Sequence, residues 1–382
     1  MKKYIIFILI LIMNSVLYSR KIYTVVGNGK TGYKDMVPAR QAELNYPTGV
    51  SVDKDGNIYI ADCVNNRIRL VKKVKGDDFY RKAVIRTIAG NGVFGYNGTG
   101  TYAVKVKLAW PKSVFPVTRN AGKNEYVEVY FSDSKNNIIR KIDKRGFIRR
   151  IAGNLKAGYS GDEGPAENAS LSEPNGIFID ANDNIYIADT LNNRVRVVYS
   201  KGKVAGLTVK NPVKGYIYTI AGNGQPGAGG DKGKSIYAQI GEPYDVAVDK
   251  EGNLYIAQRT GSIVRKVDVK TGIISTVAGV PNKPGYSGDN SKATIEKLNQ
   301  PFGVWVDLNK NIFIADGNNM RIRVVDSKGY IHSVAGNGKV GYKGDGAPSE
   351  ASYLSFPLDV FGDNNGTLFV ADAINAVIRM IK

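Results

Sequence analysis

The chain has 382 residues with 1 Cys and 1 His, which excludes an internal disulfide, a cysteine-rich zinc site and a multi-histidine metal centre. Its 53 Lys and Arg against 34 Asp and Glu give a net charge of +19, pointing toward an acidic partner or surface. The 44 Gly and 23 Tyr, without a collagen period, fit many turns between many strands.

Lys2 and Lys3 precede an apolar run from Tyr4 to Met13, and the small residue Ser19 closes the segment. This order is the pattern of a secretory signal peptide over residues 1–19, cleaved near residue 19. The run falls short of the ~20 residues a membrane helix needs. Residues 16–18 extend it, so a single-pass signal anchor is the alternative. Both readings put the rest of the chain outside, secreted or on the cell surface. Asn97, Asn168 and Asn365 each open an Asn-x-Ser/Thr triplet, the acceptor pattern for N-glycosylation in hosts that perform it.

From residue 22 onward one pattern recurs six times. A strand-like string ends at Gly27, Gly90, Gly153, Gly222, Gly279 and Gly336, spaced 57 to 69 residues apart. A proline follows each glycine after 20 to 22 residues: Pro47, Pro111, Pro174, Pro243, Pro301 and Pro357. Short runs then alternate apolar and polar residues, as at 49–53, 57–62 and 67–71. Period-two alternation, Tyr/Ile/Val enrichment and turns such as Lys54-Asp55-Gly56-Asn57 read as strand–turn–strand. Six units of four short strands predict an all-β chain, a six-bladed β-propeller over residues 22–382. Circular repetition removes exposed sheet edges, which is why such units close into a ring.

These segments resemble the NHL-repeat family, whose Pro-x-Gly-Val, Gly-Asn-Ile-Tyr-Ile-Ala-Asp and Asn-Asn-Arg strings stand nearly intact at 47–69 and 174–196. The Ala-Gly-Asn-Gly and Gly-Tyr-Ser-Gly-Asp linkers are similar to a subgroup found in extracellular and cell-surface proteins. The resemblance implies the fold; it leaves function open, because the family hosts binders and enzymes alike. Gln258 departs from the recurrent Asp, Ala376-Val377 from Asn-Arg, and the second copy carries an insertion near 118–125. With strands a, b, c and d counted from the axis outward, the glycine-terminated strand is d. The chain then starts with a d strand near residues 22–26 and ends with a c strand at 377–381, so the N-terminal strand closes the last blade.

In such blades the d-to-a linkers and b–c turns share one face, and the a–b and c–d turns share the other. The linkers hold Tyr96, Tyr159, Asp162, Tyr286, Asp289, Tyr342 and Asp345, candidates for a ring of ligand contacts. The plainer reading packs each Tyr on a neighbouring blade, with Gly-Asp setting a turn. Asp62, Asp133, Asp189, Asp316 and Asp372 are expected to cap the b–c turns through backbone N–H groups and not to form a carboxylate ring. Asp53-Lys54-Asp55-Gly56-Asn57 resembles the start of a calcium loop, but Val64 stands where the loop needs Glu, so no metal is expected. Arg67/Arg69, Arg194/Arg196 and Arg321/Arg323 point in pairs to one side of a strand; they could make a basic surface, but are expected to make blade-to-blade ion pairs or hydrogen bonds with those aspartates.

The c–d loops at 71–86 and 198–217 carry Lys72, Lys73, Lys75, Lys201, Lys203, Lys210 and Lys214. They form either a solvated surface or a docking patch for an anionic glycan, lipid or protein. His332 is expected at an exposed strand edge, and Cys63 as a polar-loop substitution beside a turn. No catalytic set, metal set or cofactor is expected. The sequence therefore reads as a secreted or surface-exposed non-catalytic scaffold for a protein or anionic glycan, contacting a membrane only if the leader stays as an anchor. Nucleic-acid binding through a basic face competes with it. A lactonase- or esterase-like propeller also competes, and would need distinct acidic and amide residues around the axis.

Overall fold

The computed structural model describes residues 20–121, 124–363 and 365–382; the expected leader at 1–19 lies outside the described residues. Six antiparallel sheets, each of four principal strands, stand around one axis. The a strands are Pro47–Val52, Pro111–Ala121, Pro174–Ile179, Pro243–Val248, Pro301–Val306 and Pro357–Gly362, and successive a strands pack on one another. These six strands open blades I to VI. In blades III and V the linkers add two-residue strands, Gly164–Pro165 and Ser291–Lys292, along the outer edge.

All five residues of the b strand Ile58–Asp62 are buried, as are those of Ile185–Asp189. Period two here sorts side chains between two neighbouring blades instead of between core and solvent. Ile58 and Ile60 enter one apolar cluster while Tyr59 and Ala61 enter another. Ile185 and Ile187 are likewise separated from Tyr186 and Ala188.

The ring closes as the phase of the repeat requires. The d strand of blade VI is Ile22–Val26, paired antiparallel with the c strand Val377–Ile381 in the register Ile22↔Ile381, Tyr23↔Met380 and Thr24↔Arg379. The Lys21 N–H donates to the Lys382 carbonyl at 2.8 Å and the Lys382 N–H returns a bond to Lys21 at 3.0 Å. The insertion in blade II lengthens its a–b hairpin, Pro111–Ala121 with Asn124–Asp133, beyond the six- and five-residue strands of other blades.

A second contact joins consecutive blades. The residue before each a-strand proline sits at positive φ: Tyr46 55°, Trp110 51°, Glu173 45°, Glu242 45°, Gln300 51° and Phe356 61°. Such backbone is costly for side chains of this size and persists only where neighbours hold it. Asn66, Asn137 and Asn193, the second Asn of their b–c turns, accept the N–H of Trp110, Glu173 and Glu242 of the following blade at 3.1, 2.9 and 3.0 Å.

Candidate functional site

Most of the repeated polar residues build the scaffold. One arginine per c strand (Arg69, Arg140, Arg196, Arg265, Arg323 and Arg379) is fully buried. A buried guanidinium needs partners for its charge and its N–H groups. Arg69 meets Asp62 at 2.7 Å and the linker carboxylate of Asp35 at 3.1 Å. Asp289 reaches Arg323 at 2.8 Å, and Asp345 reaches Arg379 at 2.7 Å. Asp162 bonds Arg196 Nε at 3.0 Å and also accepts the Thr219 N–H at 3.1 Å, pinning the linker to the outer strand. These pairs lie within a blade and its incoming linker, correcting the expectation of blade-to-blade pairs. Arg67, Arg194 and Arg321, two residues earlier, bond backbone carbonyls and form no ion pair among the described residues.

The linker tyrosines lie over those arginines. Tyr159 sits 3.7 Å from the Arg194 guanidinium and Tyr286 3.9 Å from that of Arg321. Tyr96 lies over Arg140 at 5.3 Å and Tyr342 over Arg379 at 5.2 Å. The hydroxyls of Tyr159 and Tyr286 donate to Asp162 and Asp289 at 2.8 and 3.1 Å, and the Tyr342 hydroxyl meets Thr24 Oγ1 at 2.8 Å. Each of these linkers packs on the blade it leads into. Blade I has a shorter version of the same device that the sequence pattern missed, Gly32-Tyr33-Lys34-Asp35, with Tyr33 3.7 Å from Arg67.

Contrary to expectation, the recurrent aspartates do not cap the b–c turns through backbone N–H groups; Asp133, Asp189 and Asp316 make no such bond and tie the incoming linker instead. Asp62, Asp189 and Asp316 accept linker N–H groups from Asn45, Ser172 and Asn299 with one oxygen, at 2.8, 2.8 and 2.7 Å. The other oxygen accepts an Asn side chain, as from Asn192 at 2.8 Å, and faces the buried arginine. Burial pushes the carboxyls of Asp133, Asp189, Asp316 and Asp372 up to about 6, against the pull of those arginines. Asp53, read as a calcium-loop start, clasps its own hairpin, accepting from Asn57 Nδ2 at 2.7 Å and Tyr59 OH at 3.0 Å. Cys63 is buried beside the blade II inner strand, so it is no polar-loop residue and cannot reach another chain. His332 is half-buried instead of exposed, its Nδ1 2.8 Å from Asn290 Oδ1. Asn97, Asn168 and Asn365 are exposed, and the Asn97 Oδ1 accepts the Lys107 N–H at 2.7 Å.

Sixfold symmetry breaks at the axis, at the third residue of each a strand. Glycines at 49, 176 and 303 alternate with Ser113, Asp245 and Asp359. A Cβ on Gly176 would lie 2.1 Å from Asp245 Oδ1, and one on Gly303 would lie 2.9 Å from Asp359 Oδ1. Asp245 and Asp359 accept the N–H of Val304 and Val50 from the next blade at 3.0 and 2.8 Å. Burial, with Asp359 nearby, holds Asp245 well above the usual carboxylate range, and burial lifts Asp359 to about 7. Lys112, Asn175 and Tyr244 share with them the lining of a void of about 10 Å³, with Thr48 and Leu358. That is room for about one water. The sequence signal was the change from Pro-x-Gly to Pro243-Tyr-Asp245 and Pro357-Leu-Asp359.

A larger cavity of about 520 Å³ opens where the blade III c–d loop meets the blade IV c–d turn and residues 234–236 of the linker into blade IV. Lys203, Lys210, Lys234 and Lys270 line it and no Asp or Glu does. The loop is anchored, since Val204 and Ala205 are buried in the cluster between blades III and IV. The Val213 N–H also donates to Tyr218 OH at 2.7 Å. Lys201 and Lys214 are exposed on the same loop, whereas Lys72, Lys73 and Lys75 are exposed on the c–d loop of blade I. The ring therefore separates the two basic groups.

Residues 44–69, the linker end with strands a, b and the start of c in blade I, match the family described as NHL repeat. Blade I of the six-bladed propeller thus carries a match to the NHL repeat. The chain is 25% identical over 373 residues to the human NHL repeat-containing protein 2, covering 91% of this chain and 48% of that protein. It is 26% identical over 265 residues to the Arabidopsis thaliana protein SUPPRESSOR OF QUENCHING 1, chloroplastic, covering 66% of this chain and 22% of that one. The propeller thus spans less than half the length of these relatives. Among solved structures it resembles an auxiliary nutrient binding protein from Bacteroides ovatus (TM-score 0.62, 13% identity, 96% of this chain and 77% of that one). It also resembles a streptogramin B lyase (TM-score 0.51, 12% identity, 95% and 98%) and a Xanthomonas campestris gluconolactonase (TM-score 0.51, 12% identity, 88% and 86%). At such identities the likeness establishes the fold. Propellers of this shape serve both binding and catalysis.

Proposed function

We propose that this propeller is a non-catalytic binding scaffold for an anionic glycan, acting in the secreted or cell-surface compartment. The observation that carries the reading is the anchored cleft lined by Lys203, Lys210, Lys234 and Lys270 without a carboxylate. Four ammonium groups around one concavity repel one another and favour an anion bridging them. A polymer with repeated sulfate or carboxylate groups meets that need along its length. Surface lysines are screened by salt, so binding falls steeply as ionic strength rises.

The test is calorimetric titration with heparin-derived oligosaccharides, with neutral dextran and single-stranded RNA of matched length as competitors. The expected result is salt-sensitive heparin binding, no dextran binding, and about a tenfold loss or more in Lys203→Gln/Lys210→Gln/Lys234→Gln. Preference for RNA would replace the glycan reading with nucleic-acid recognition. Binding unchanged in the triple variant would overturn the cleft. The compartment is tested separately, by mapping the N-terminus of the natural protein in medium, membranes and cytosol.

A second reading has one observation behind it, the carboxylates of Asp245 and Asp359 that break the axial symmetry. A hydrolase using them would need substrate to enlarge the void of about 10 Å³ that Tyr244 and Leu358 help to line. Hydrolysis of lactones or aryl esters, abolished by Asp359→Asn, would establish it.

A further inference from the structure

The axis has a second mouth, on the a–b face, and its construction differs from that of the lysine cleft. The fifth residue of each a strand faces it: Ser51, Phe115, Phe178, Ala247, Trp305 and Phe361. Small residues occupy the opposed blades I and IV, and aromatic residues fill the two pairs between them. Ring centroids are 5.0 Å apart for Phe115–Phe178, 6.1 Å for Phe115–Phe361 and 6.2 Å for Trp305–Phe361. These four rings are half-buried and line a bowl of about 350 Å³. Gly362 belongs to the same construction, because a Cβ there would lie 2.4 Å from the Trp305 ring. The equivalent residues elsewhere are Val52, Pro116, Ile179, Val248 and Val306, so room for an indole exists at this one position.

Above the rings the lining turns polar, with Thr118 on the long hairpin and charges of both signs from Asp53, Lys54, Lys73 and Asp363. Lys54 is already paired, with Asp55 at 3.2 Å and Glu125 at 2.8 Å. The Asp53 oxygens serve their own turn. The rim therefore presents hydrogen-bonding groups without a committed net charge, over an aromatic floor whose rings are inclined to one another by 41° to 76°. A wholly apolar occupant would desolvate that rim without compensation, and an ion would find balanced charge. A ring with one C–H face and a polar edge matches both layers, and the volume lies in the range of small-molecule sites.

We propose that the bowl floored by Phe115, Phe178, Trp305 and Phe361 binds a neutral sugar ring, stacked on the aromatic floor and hydrogen-bonded at the rim. This site stands whether or not the lysine cleft binds an anion.

The protein has 2 Trp, and the other, Trp110, precedes the blade II a strand at the linker-face end of the axis. A Trp110→Phe protein thus leaves Trp305 as a single reporter. Its fluorescence is titrated with neutral oligosaccharides of glucose, mannose, galactose and N-acetylglucosamine, with indole as the apolar control. The expected result is a saturable change with at least one saccharide at millimolar concentration or below, weakened about tenfold or more by Phe361→Ala. Thr118→Phe, which crowds the bowl from its rim, adds no tryptophan and leaves the ring layer intact, abolishes the response, so the test survives if Phe361→Ala fails to fold. Lys203→Gln/Lys210→Gln leaves it unchanged, separating this site from the anion cleft. No saturable change with any saccharide, a response indifferent to both bowl variants, or tighter binding of indole than of every saccharide overturns the proposal.

Discussion

At the scale of single residues, departures from the repeat are compensated locally. In blade IV, Gln258 replaces the Asp and Gly261 replaces the following Asn. The Gln258 amide donates to the Gly227 carbonyl at 3.0 Å, the linker bond that Asn192 makes to Gly158 at 2.7 Å in blade III. Arg265 consequently keeps the linker carboxylate of Asp231 as its acidic partner, where Arg323 has both Asp289 and Asp316. Arg323→Ala should cost about 3–5 kcal/mol in urea unfolding, because it strands a fully buried Asp316, and Arg265→Ala distinctly less. The axial pair sets a pH dependence. The folded protein holds the Asp359 proton up to about 7, while an unfolded Asp loses it near ~3.9. Between those values the native state binds more protons, so raising the pH from 4 through 7 removes stability. Asp359→Asn should flatten that decline and raise stability at pH 8, checked by thermal melts across pH. The sequence displayed Pro-Tyr-Asp and Pro-Leu-Asp openly, yet their meaning depends on blades II, IV and VI alternating with glycines around the axis. One repeat viewed alone cannot reveal that.

At the scale of elements, strand phase was legible because each blade repeats one order and the chain starts out of step with it. The clasp is held by Asp345, which accepts the Thr24 N–H at 3.1 Å and pairs with Arg379. Asp345→Ala should lower the melting temperature and speed amide exchange in Ile22–Val26 more than in other d strands. Removal of residues 20–28 should leave the c strand Val377–Ile381 as an open edge and produce aggregation, read by light scattering. The linkers were legible as long loops, but their course was not. They run along the outer strands, as the Lys234↔Ile273 and Pro38↔Val84 bridges show, because each outer edge would otherwise offer unpaired backbone groups.

At the scale of the whole molecule, composition supplied the sign of the charge and the ring decides where it collects. The lysines of 201–214 are neighbours in sequence, but Lys270 joins them only because blade IV follows blade III in space. The aromatic bowl was less visible still, since its four rings come from four different repeats at one equivalent position. The bowl lies at the a–b end of the axis, whereas the cleft is built from the blade III c–d loop, the blade IV c–d turn and the linker residues Lys234, Ser235 and Ile236. The lysine cleft, and not the ring of linker tyrosines, meets the anionic partner. Amide hydrogen exchange with and without heparin oligosaccharide tests it most directly. Exchange should slow in 199–214, 232–237 and 269–272, with the linkers at 91–107 and 283–297 unchanged. Protection confined to the linkers at 91–107 and 283–297 would contradict the cleft as the binding site.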